Sequence, residues 1–261
     1  MASCSTFSGS IAIATNAAGT IALNGIKKIA GTLSANNNSA VTTLSGDSIE
    51  SIDQFELTDV TALDTISFPK LTTVKTLKWV SVSVLTNLDF TSFLTKAEGI
   101  DIENTQLQSL DGINLETVGD VIIVNNRFIT EISMQVTNIT GVLNFEGNNA
   151  ALSVKLEQLE SANNLTFQGC SSVSLPALKT LNDSMTLIKN TFESFAVPNV
   201  TKIGNSLIIT DNNKLNNLTL PQLTNVAKAL QIANNTALNE ISLPKLAKIG
   251  ADLDFHGNFS V

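Results

Sequence analysis

The sequence predicts an all-β fold, a right-handed parallel β-solenoid with about eleven coils of ~22 residues. The main observation is a repeat of the form L-x-L-x-x-N that closes with a segment of the type L-P-x-L-x-x-V. The sixth positions of successive repeats lie 20 to 23 residues apart along the whole chain. Because one repeat is too small to bury its own apolar side chains, neighbouring repeats must stack.

Each repeat begins with a short strand. Inward and outward residues alternate at residues 33–36 and 143–146, which is the period of a half-buried strand. Residues 121–124 are rich in β-branched side chains, which suit a pleated surface. We therefore expect the inward side of the strands to carry Leu33, Leu143, Phe145, Leu165, Phe167, Leu207, Ile209, Leu230 and Ile232.

The sixth position of the repeat is expected to turn inward after the strand. An Asn at this position offers two amide donors and a carbonyl, which can bond to the turns and to the next coil. The predicted structural ladder consists of Asn38, Asn126, Asn148, Cys170, Asn190, Asn212 and Asn235. Val60, Val82 and Thr105 fill the same position in weaker copies of the repeat.

The second half of each repeat favours turns and short strands over a helix. Proline recurs there in one phase, and Pro fixes its own φ and lacks an amide donor. This recurring position marks a corner of each coil, so we expect a coil with three short faces. The prolines concerned are Pro69, Pro176, Pro198, Pro221 and Pro244.

The uninterrupted repeat predicts a single elongated domain over residues 1–261. We expect an N-terminal cap over residues 1–30, coils over residues 31–250, and an open C-terminal coil over residues 251–261. The strand at residues 253–256 has no successor in this sequence, so its edge predicts self-association.

The first residues lack the charged and apolar segments of a signal peptide. The protein is therefore either intracellular or the trimmed core of a longer one, and the open C-terminal edge without a capping repeat favours trimming.

The charge and the aromatic content of the chain limit the classes of partner that it could bind. The net charge is −8 and Arg127 is the only arginine, which disfavours nucleic acid and anionic membrane as partners. Tyr is absent and there is one Trp, so aromatic platforms for bases or sugars are scarce. No run of apolar residues is long enough to cross a bilayer.

The sequence offers no recognisable catalytic, cofactor-binding or metal-binding constellation, so we expect neither a cofactor nor an enzyme. Cys4 and Cys170 lie about seven coils apart, roughly 30 Å at strand spacing, which is too far for a disulfide. His256, the only histidine, is expected on the surface. Asp101 and Glu103 share one side of a strand; such a pair can serve glycoside hydrolysis, but it is also typical of a solvated sheet.

The outward side of the main strands is the best candidate for an interaction face. Exposed aliphatic side chains favour a binding patch, although they also suit any exposed strand because of their β-propensity. The candidate residues are Ile122, Val124, Asn144, Glu146, Ile188 and Ile208.

Several phrases of the sequence resemble one known family. Cys4-Ser5-Thr6 and residues 203–209, 230–236 and 255–260 are similar to the fungal cell-wall organisation and sporulation-specific proteins. The resemblance implies a receptor-L-domain-like, leucine-rich-repeat-like solenoid. It also implies a secreted glycoprotein of the cell surface or cell wall, held at the plasma membrane by a GPI anchor that this sequence does not include. An upstream cysteine that pairs with Cys4 would agree with this resemblance.

Eight N-glycosylation sequons are present, a number close to what the composition alone would give. They begin at Asn37, Asn138, Asn164, Asn182, Asn199, Asn217, Asn234 and Asn258. The resemblance implies that several of them carry sugar.

Two functions remain open from the sequence. The favoured one is a non-enzymatic structural or interaction protein of the fungal cell surface that contributes to cell-wall organisation and integrity. Its partner would be a cell-wall polysaccharide or a cell-surface protein. The alternative is a polysaccharide-active β-helix enzyme or a carbohydrate-binding module, because many parallel β-helices process polysaccharides. The scarcity of aromatic residues and arginine disfavours this alternative.

Overall fold

The computed structural model describes residues 5–257 of the chain. Within these residues the secondary structure consists of strands alone, and no helix is present that could cross a membrane. The chain divides into two compact units, Met1–Ile129 (unit 1) and Thr130–Val261 (unit 2). The predicted parallel β-solenoid of about eleven coils is confirmed.

Unit 1 contains thirteen strands within its described residues, 5–129. They are β1 (Thr6–Phe7), β2 (Ile11–Ile13), β3 (Gly19–Ala22), β4 (Lys28–Asn38), β5 (Val41–Ser45), β6 (Ser51–Val60), β7 (Thr65–Ser67), β8 (Thr73–Val80), β9 (Asn87–Asp89), β10 (Leu94–Lys96), β11 (Gly99–Glu103), β12 (Ile113–Val118) and β13 (Asp120–Val124). The main strands β4, β6, β8, β11 and β13 pair in parallel in that order. A second parallel sheet has the order β3-β5-β7-β9.

In unit 2 the structure describes residues 130–257, and these contain sixteen strands. They are β14 (Glu131–Ser133), β15 (Asn138–Glu146), β16 (Ser153–Lys155), β17 (Ser161–Gln168), β18 (Ser172–Ser174), β19 (Thr180–Leu181), β20 (Met185–Ile188), β21 (Ser194–Ala196), β22 (Lys202–Ile203), β23 (Leu207–Thr210), β24 (Asn217–Thr219), β25 (Asn225–Val226), β26 (Leu230–Ala233), β27 (Glu240–Ser242), β28 (Lys248–Ile249) and β29 (Leu253–His256). The main strands β15, β17, β20, β23, β26 and β29 pair in parallel in that order.

A coil of unit 2 has the three short faces that the recurring proline predicts. The two-residue strand β22 leads into the main strand β23, and β24 forms the third face. Each of these strands pairs in parallel with its counterpart one coil later: β25, β26 and β27 respectively. All three faces therefore stack at the ordinary interstrand spacing, and the side chains between them form the core.

The core consists of the inward side chains of the stacked strands. All nine side chains expected there are buried, each at most 1% exposed. In unit 1 the ring of Phe55 meets the rings of Phe68 and Trp79 edge to face, at centroid distances of 5.5 and 5.3 Å. In unit 2 Phe145 and Phe167 form a similar pair at 5.9 Å. This geometry is the one that aromatic pairs prefer.

A left-handed residue ends every main strand. The residue before each ladder position has a φ between 49° and 114°, and the positions are Asn37, Asp59, Ser81, Asn104, Asn125, Gly147, Gly169, Lys189, Asp211, Asn234 and Gly257. Asn, Asp and Gly tolerate this region best. The conformation turns the chain at the end of the strand, so the next side chain points into the core.

The ladder of unit 2 is a chain of amide hydrogen bonds. Asn190 donates from its backbone N and its Nδ2 to Asn212 Oδ1 at 2.9 and 3.0 Å. Asn212 donates in the same way to Asn235 Oδ1 at 2.9 and 3.0 Å. The Nδ2 groups also donate to strand carbonyls inside the coil, such as Leu187 O. Each amide therefore satisfies buried backbone in its own turn and in its neighbour's.

The ladder of unit 1 is interrupted by apolar residues. Thr105 donates from its backbone N and Oγ1 to Asn126 Oδ1 at 3.0 and 2.6 Å. Asn38 Nδ2 instead donates to Ala14 O and Ala17 O in the preceding turn, because Val60 in the next coil has no side-chain oxygen that could accept from it, and Asn38 Oδ1 accepts from Ala40 N and Val41 N in its own turn. Asn38, Val60 and Asn126 are all fully buried.

Asn148 departs from the expected ladder because it is half-buried rather than buried. The corresponding residue one coil later is Cys170, whose side chain lacks an amide oxygen that could accept from Asn148. Cys170 itself is fully buried, and its backbone N donates to Asn190 Oδ1 at 2.8 Å. The Cys therefore joins the ladder through its backbone alone.

Cys170 is expected to resist alkylation in the folded protein. Burial raises the pKa of its thiol to about 12, and the thiolate is the species that reacts. Iodoacetamide should therefore modify Cys170 only after unfolding in urea, as read by mass spectrometry of the tryptic peptide. Equal labelling rates in native buffer and in urea would contradict the buried position.

The same thiol makes stability fall at high pH. The folded-state pKa lies above the ordinary value of 9.0, so between these values the folded protein holds the proton and the unfolded chain loses it. The contribution of the thiol to the free energy of unfolding is complete below about pH 9 and decreases as the pH rises toward 12.

Cys4, the second cysteine, lies outside the described residues.

Candidate functional site

The outward side of the main strands in unit 2 forms a flat, mostly uncharged surface, which we call the unit 2 face. Its side chains are half-buried. It consists of Asn144, Glu146, Thr166, Gln168, Thr186, Ile188, Ile208, Thr210, Gln231 and Asp254.

Register brings the two isoleucines of the unit 2 face close together. Thr186 pairs with Ile208, and Ile188 pairs with Thr210, so the isoleucines occupy diagonal positions on adjacent strands. Diagonal neighbours on a sheet remain within reach of long side chains. The two aliphatic side chains therefore form a small apolar area bordered by threonines.

A polar group continues the unit 2 face toward β29. Gln231 Nε2 donates to Asp254 Oδ2 at 3.0 Å, and His256 Nδ1 lies 2.6 Å from Asp254 Oδ1. The hydrogen bond with His256 lowers the pKa of Asp254, with a smaller contribution from Gln231. His256 lies on the surface, 55% exposed. On the same strand Leu253 and Phe255 are 59% and 42% exposed.

The equivalent surface of unit 1, the unit 1 face, combines aliphatic and charged residues. Ile122 and Val124 are half-buried and pair with Asp101 and Glu103 on the neighbouring strand. Lys78, on the next strand, lies 3.5 Å from Asp101 Oδ2 through its Nζ. The candidate residues Ile122 and Val124 thus lie beside a carboxylate pair.

The carboxylate pair is too close for glycoside hydrolysis. Burial raises the pKa of Glu103, and the charge of Asp101 and a hydrogen bond with it raise this pKa further. A hydrogen bond holds two oxygens about 2.5–3.0 Å apart, whereas a retaining glycosidase separates its carboxyl groups by about 5–5.5 Å. A hydrogen-bonded carboxylate pair therefore leaves no room for a glycosidic bond between the two groups.

The sequon asparagines differ in their exposure. Asn37, Asn138, Asn182, Asn199 and Asn234 are exposed. Asn164 and Asn217 are half-buried, and Asn217 Nδ2 donates to Glu240 Oε2 at 2.8 Å. Asn258 lies outside the described residues. Six of the seven described asparagines lie away from the unit 1 and unit 2 faces, whereas Asn164 lies on the same side of β17 as Thr166, at the edge of the unit 2 face.

Metal binding has no evident site in the part of the chain that the structure describes. No group of three or more His, Cys, Asp or Glu side chains there is arranged to hold an ion.

Curated relatives identify the family. The chain is 39% identical to Protein ecm33 of Aspergillus fumigatus over 219 residues, which cover 83% of this chain and 55% of the relative. It is 40% identical to a Cell surface GPI-anchored protein of Arthroderma benhamiae over 84% of this chain and 57% of the relative. It is 32% identical to Sporulation-specific protein 2 of Saccharomyces cerevisiae over 80% of this chain and 42% of the relative.

The chain belongs to the fungal family of ecm33-like and sporulation-specific proteins. The resemblance seen in the sequence is thereby confirmed. This ecm33-like chain spans about half the length of the curated relatives it matches. No protein-family profile matches it, and no solved structure shows significant similarity.

Proposed function

We propose that this ecm33-like chain is a non-enzymatic structural or interaction protein of the fungal cell surface that contributes to cell-wall organisation and integrity. It works in the secreted state, at the cell surface or in the wall. The protein to which it belongs is held by a GPI anchor at the plasma membrane. Its partner is a cell-wall polysaccharide or a cell-surface protein.

The names of the relatives support the location. Two relatives are named as cell surface GPI-anchored proteins, and another is named as a cell wall protein. The exposed sequons support a secreted glycoprotein, because sugars on Asn37, Asn138, Asn182, Asn199 and Asn234 would not disturb the core.

The observation that carries the proposed mode of action is the unit 2 face. It is flat, carries a sequon asparagine only at its edge, Asn164, and presents hydroxyl, amide and aliphatic side chains in strict register. A regular row of this kind suits an extended partner that also repeats. Contact energy would come from the aliphatic centre, and hydrogen bonds from the surrounding threonines would fix the position.

We expect the double variant Ile188→Asp/Ile208→Asp to lose most of its binding to isolated fungal cell walls. The two carboxylates place charge at the apolar centre of the face, where a partner would have to desolvate it. Binding is measured by co-sedimentation of the purified chain with washed walls. The expected loss is about tenfold in affinity, which corresponds to roughly 1.4 kcal/mol.

The matched control is Ala196→Asp, which adds a charge at an exposed position of β21 on a different face of unit 2. It should bind like the parent chain. The milder variant Ile188→Thr/Ile208→Thr retains β-branched side chains, so it separates a binding defect from loss of the strands. Undiminished binding of both double variants, with unchanged thermal unfolding, would overturn the proposed role of this face.

A further inference from the structure

The second sheet of unit 1 ends where the repeat becomes irregular. The strands β3, β5, β7 and β9 stack in order, but residues 104–112 of the following coil form turns and contain no strand. Two adjoining cavities of about 260 and 280 Å³ open beside β9 at this point. Both are lined by Leu88, Asp89 and Asp111, so they form one cleft, which we call the β9 cleft.

A strained and exposed phenylalanine borders the β9 cleft. Phe93 has a φ of 60° and is 52% exposed. Of the described non-glycine residues with positive φ, it alone does not precede a ladder position, and it alone is aromatic. Bulky side chains rarely adopt this conformation, and such outliers concentrate at binding sites. The surrounding structure therefore holds an apolar ring in solvent at an energetic cost.

The wall of the β9 cleft depends on a glycine. Gly112 has a φ of 93°, and a Cβ there would lie 2.9 Å from Phe90 Cβ and 3.2 Å from Phe90 O. Leu94 N donates to Gly112 O at 2.7 Å, and Phe93 N donates to Phe90 O at 2.8 Å. These close contacts fix the turn that carries Phe93.

The polar groups of the β9 cleft are fixed carboxylates. Thr91 Oγ1 donates to Asp89 Oδ1 at 2.5 Å and Ser67 Oγ donates to Asp89 Oδ2 at 2.8 Å. These bonds lower the pKa of Asp89, the one from Thr91 most. A carboxylate has about four acceptor sites, so both oxygens can accept further bonds. Asp111, which also lines both cavities, is exposed.

We propose that the β9 cleft binds a neutral oligosaccharide. The negatively charged face of the Phe93 ring attracts the C–H groups on one face of a pyranose, and the carboxylates of Asp89 and Asp111 accept bonds from sugar hydroxyls. The acidic lining repels anionic ligands. The inference rests on the proposed function, because it assigns a polysaccharide to a second contact area, separate from the unit 2 face.

The test is calorimetric titration of the purified chain with laminarihexaose, chitohexaose and mannohexaose. At least one of the three should bind. Phe93→Ala should weaken binding about five- to tenfold, the worth of one aromatic contact. Asp111→Asn should weaken it as well, because the amide retains only one acceptor oxygen. Phe128→Ala removes a ring that is equally exposed, 51%, but lines neither cavity, so it should leave the affinity unchanged.

The fluorescence of Trp79 supplies a second readout of binding to the β9 cleft. The Trp79 ring lies 6.2 Å from that of Phe90, which lines the cleft. No binding of any of the three oligosaccharides, or equal weakening by Phe93→Ala and Phe128→Ala, would overturn the inference. Either result would leave the proposed function standing if walls still bind through the unit 2 face. Conversely, the Phe93→Ala variant could lose wall binding although its unit 2 face is intact. That result would support sugar binding by the β9 cleft and contradict the proposed role of the unit 2 face.

Discussion

Replacing Asn212 by Leu should destabilise the chain by about 3 kcal/mol or more. Asn212 Oδ1 accepts from two donors of Asn190, and Asn212 Nδ2 donates to Leu187 O, Thr210 O and Asn235 Oδ1. Leucine has a similar volume and none of these groups. More than one buried polar group would be left unpaired, and each costs about 1–3 kcal/mol. The measurement is urea unfolding followed by circular dichroism.

The matched control is Asn213→Leu, the same chemical change one residue later at an exposed position. It should alter the free energy of unfolding by less than about 0.5 kcal/mol, as most surface substitutions do. If the Asn212 variant were no less stable than the Asn213 variant, the amide ladder would not be what holds the turns of unit 2.

Replacing Phe55 by Ala should destabilise unit 1 by about 3–5 kcal/mol. The side chain is fully buried and makes edge-to-face contacts with Phe68 and Trp79. Truncation removes these contacts and leaves a cavity between coils. Because Trp79 is the only tryptophan and is fully buried in unit 1, its fluorescence reports the unfolding of this unit specifically.

The exposed Phe128 again provides the comparison, since Phe128→Ala removes the same atoms from a solvated position. That variant should unfold at the denaturant concentration of the parent. A free energy of unfolding for Phe55→Ala within about 1 kcal/mol of that of the control would mean that the rings of unit 1 are not closely packed.

The repeat was readable from the sequence because it rests on short-range rules. Alternation at Leu207 and Ile209 specifies the inward side of a strand, and both residues are buried. The recurring proline specifies the three-faced coil. The left-handed position was missed, although the signal was present: Asn, Asp or Gly occupies nearly every residue before the ladder, and these residues tolerate positive φ.

Features that depend on contacts between particular coils could not be predicted in this way. Asn148 matches the ladder pattern but is half-buried, whereas Asn38 and Asn126 match the same pattern and are fully buried, so the pattern alone does not decide the burial of a rung. The β9 cleft depends on Gly112 and on the missing strand after β11, and neither has a distinctive local pattern. Phe93 could have been noticed only as an aromatic residue outside the alternation.

Hydroxyl-radical footprinting of the chain, free and bound to isolated fungal walls, tests the central claim that the outward sheet face contacts the wall. Oxidation reports the solvent access of individual side chains, and Ile188 and Ile208 are accessible in the free chain. Both isoleucines should become protected on binding, while the exposed Phe7 and Phe128 should not. Unchanged oxidation of the two isoleucines in the bound chain, with protection elsewhere, would contradict it.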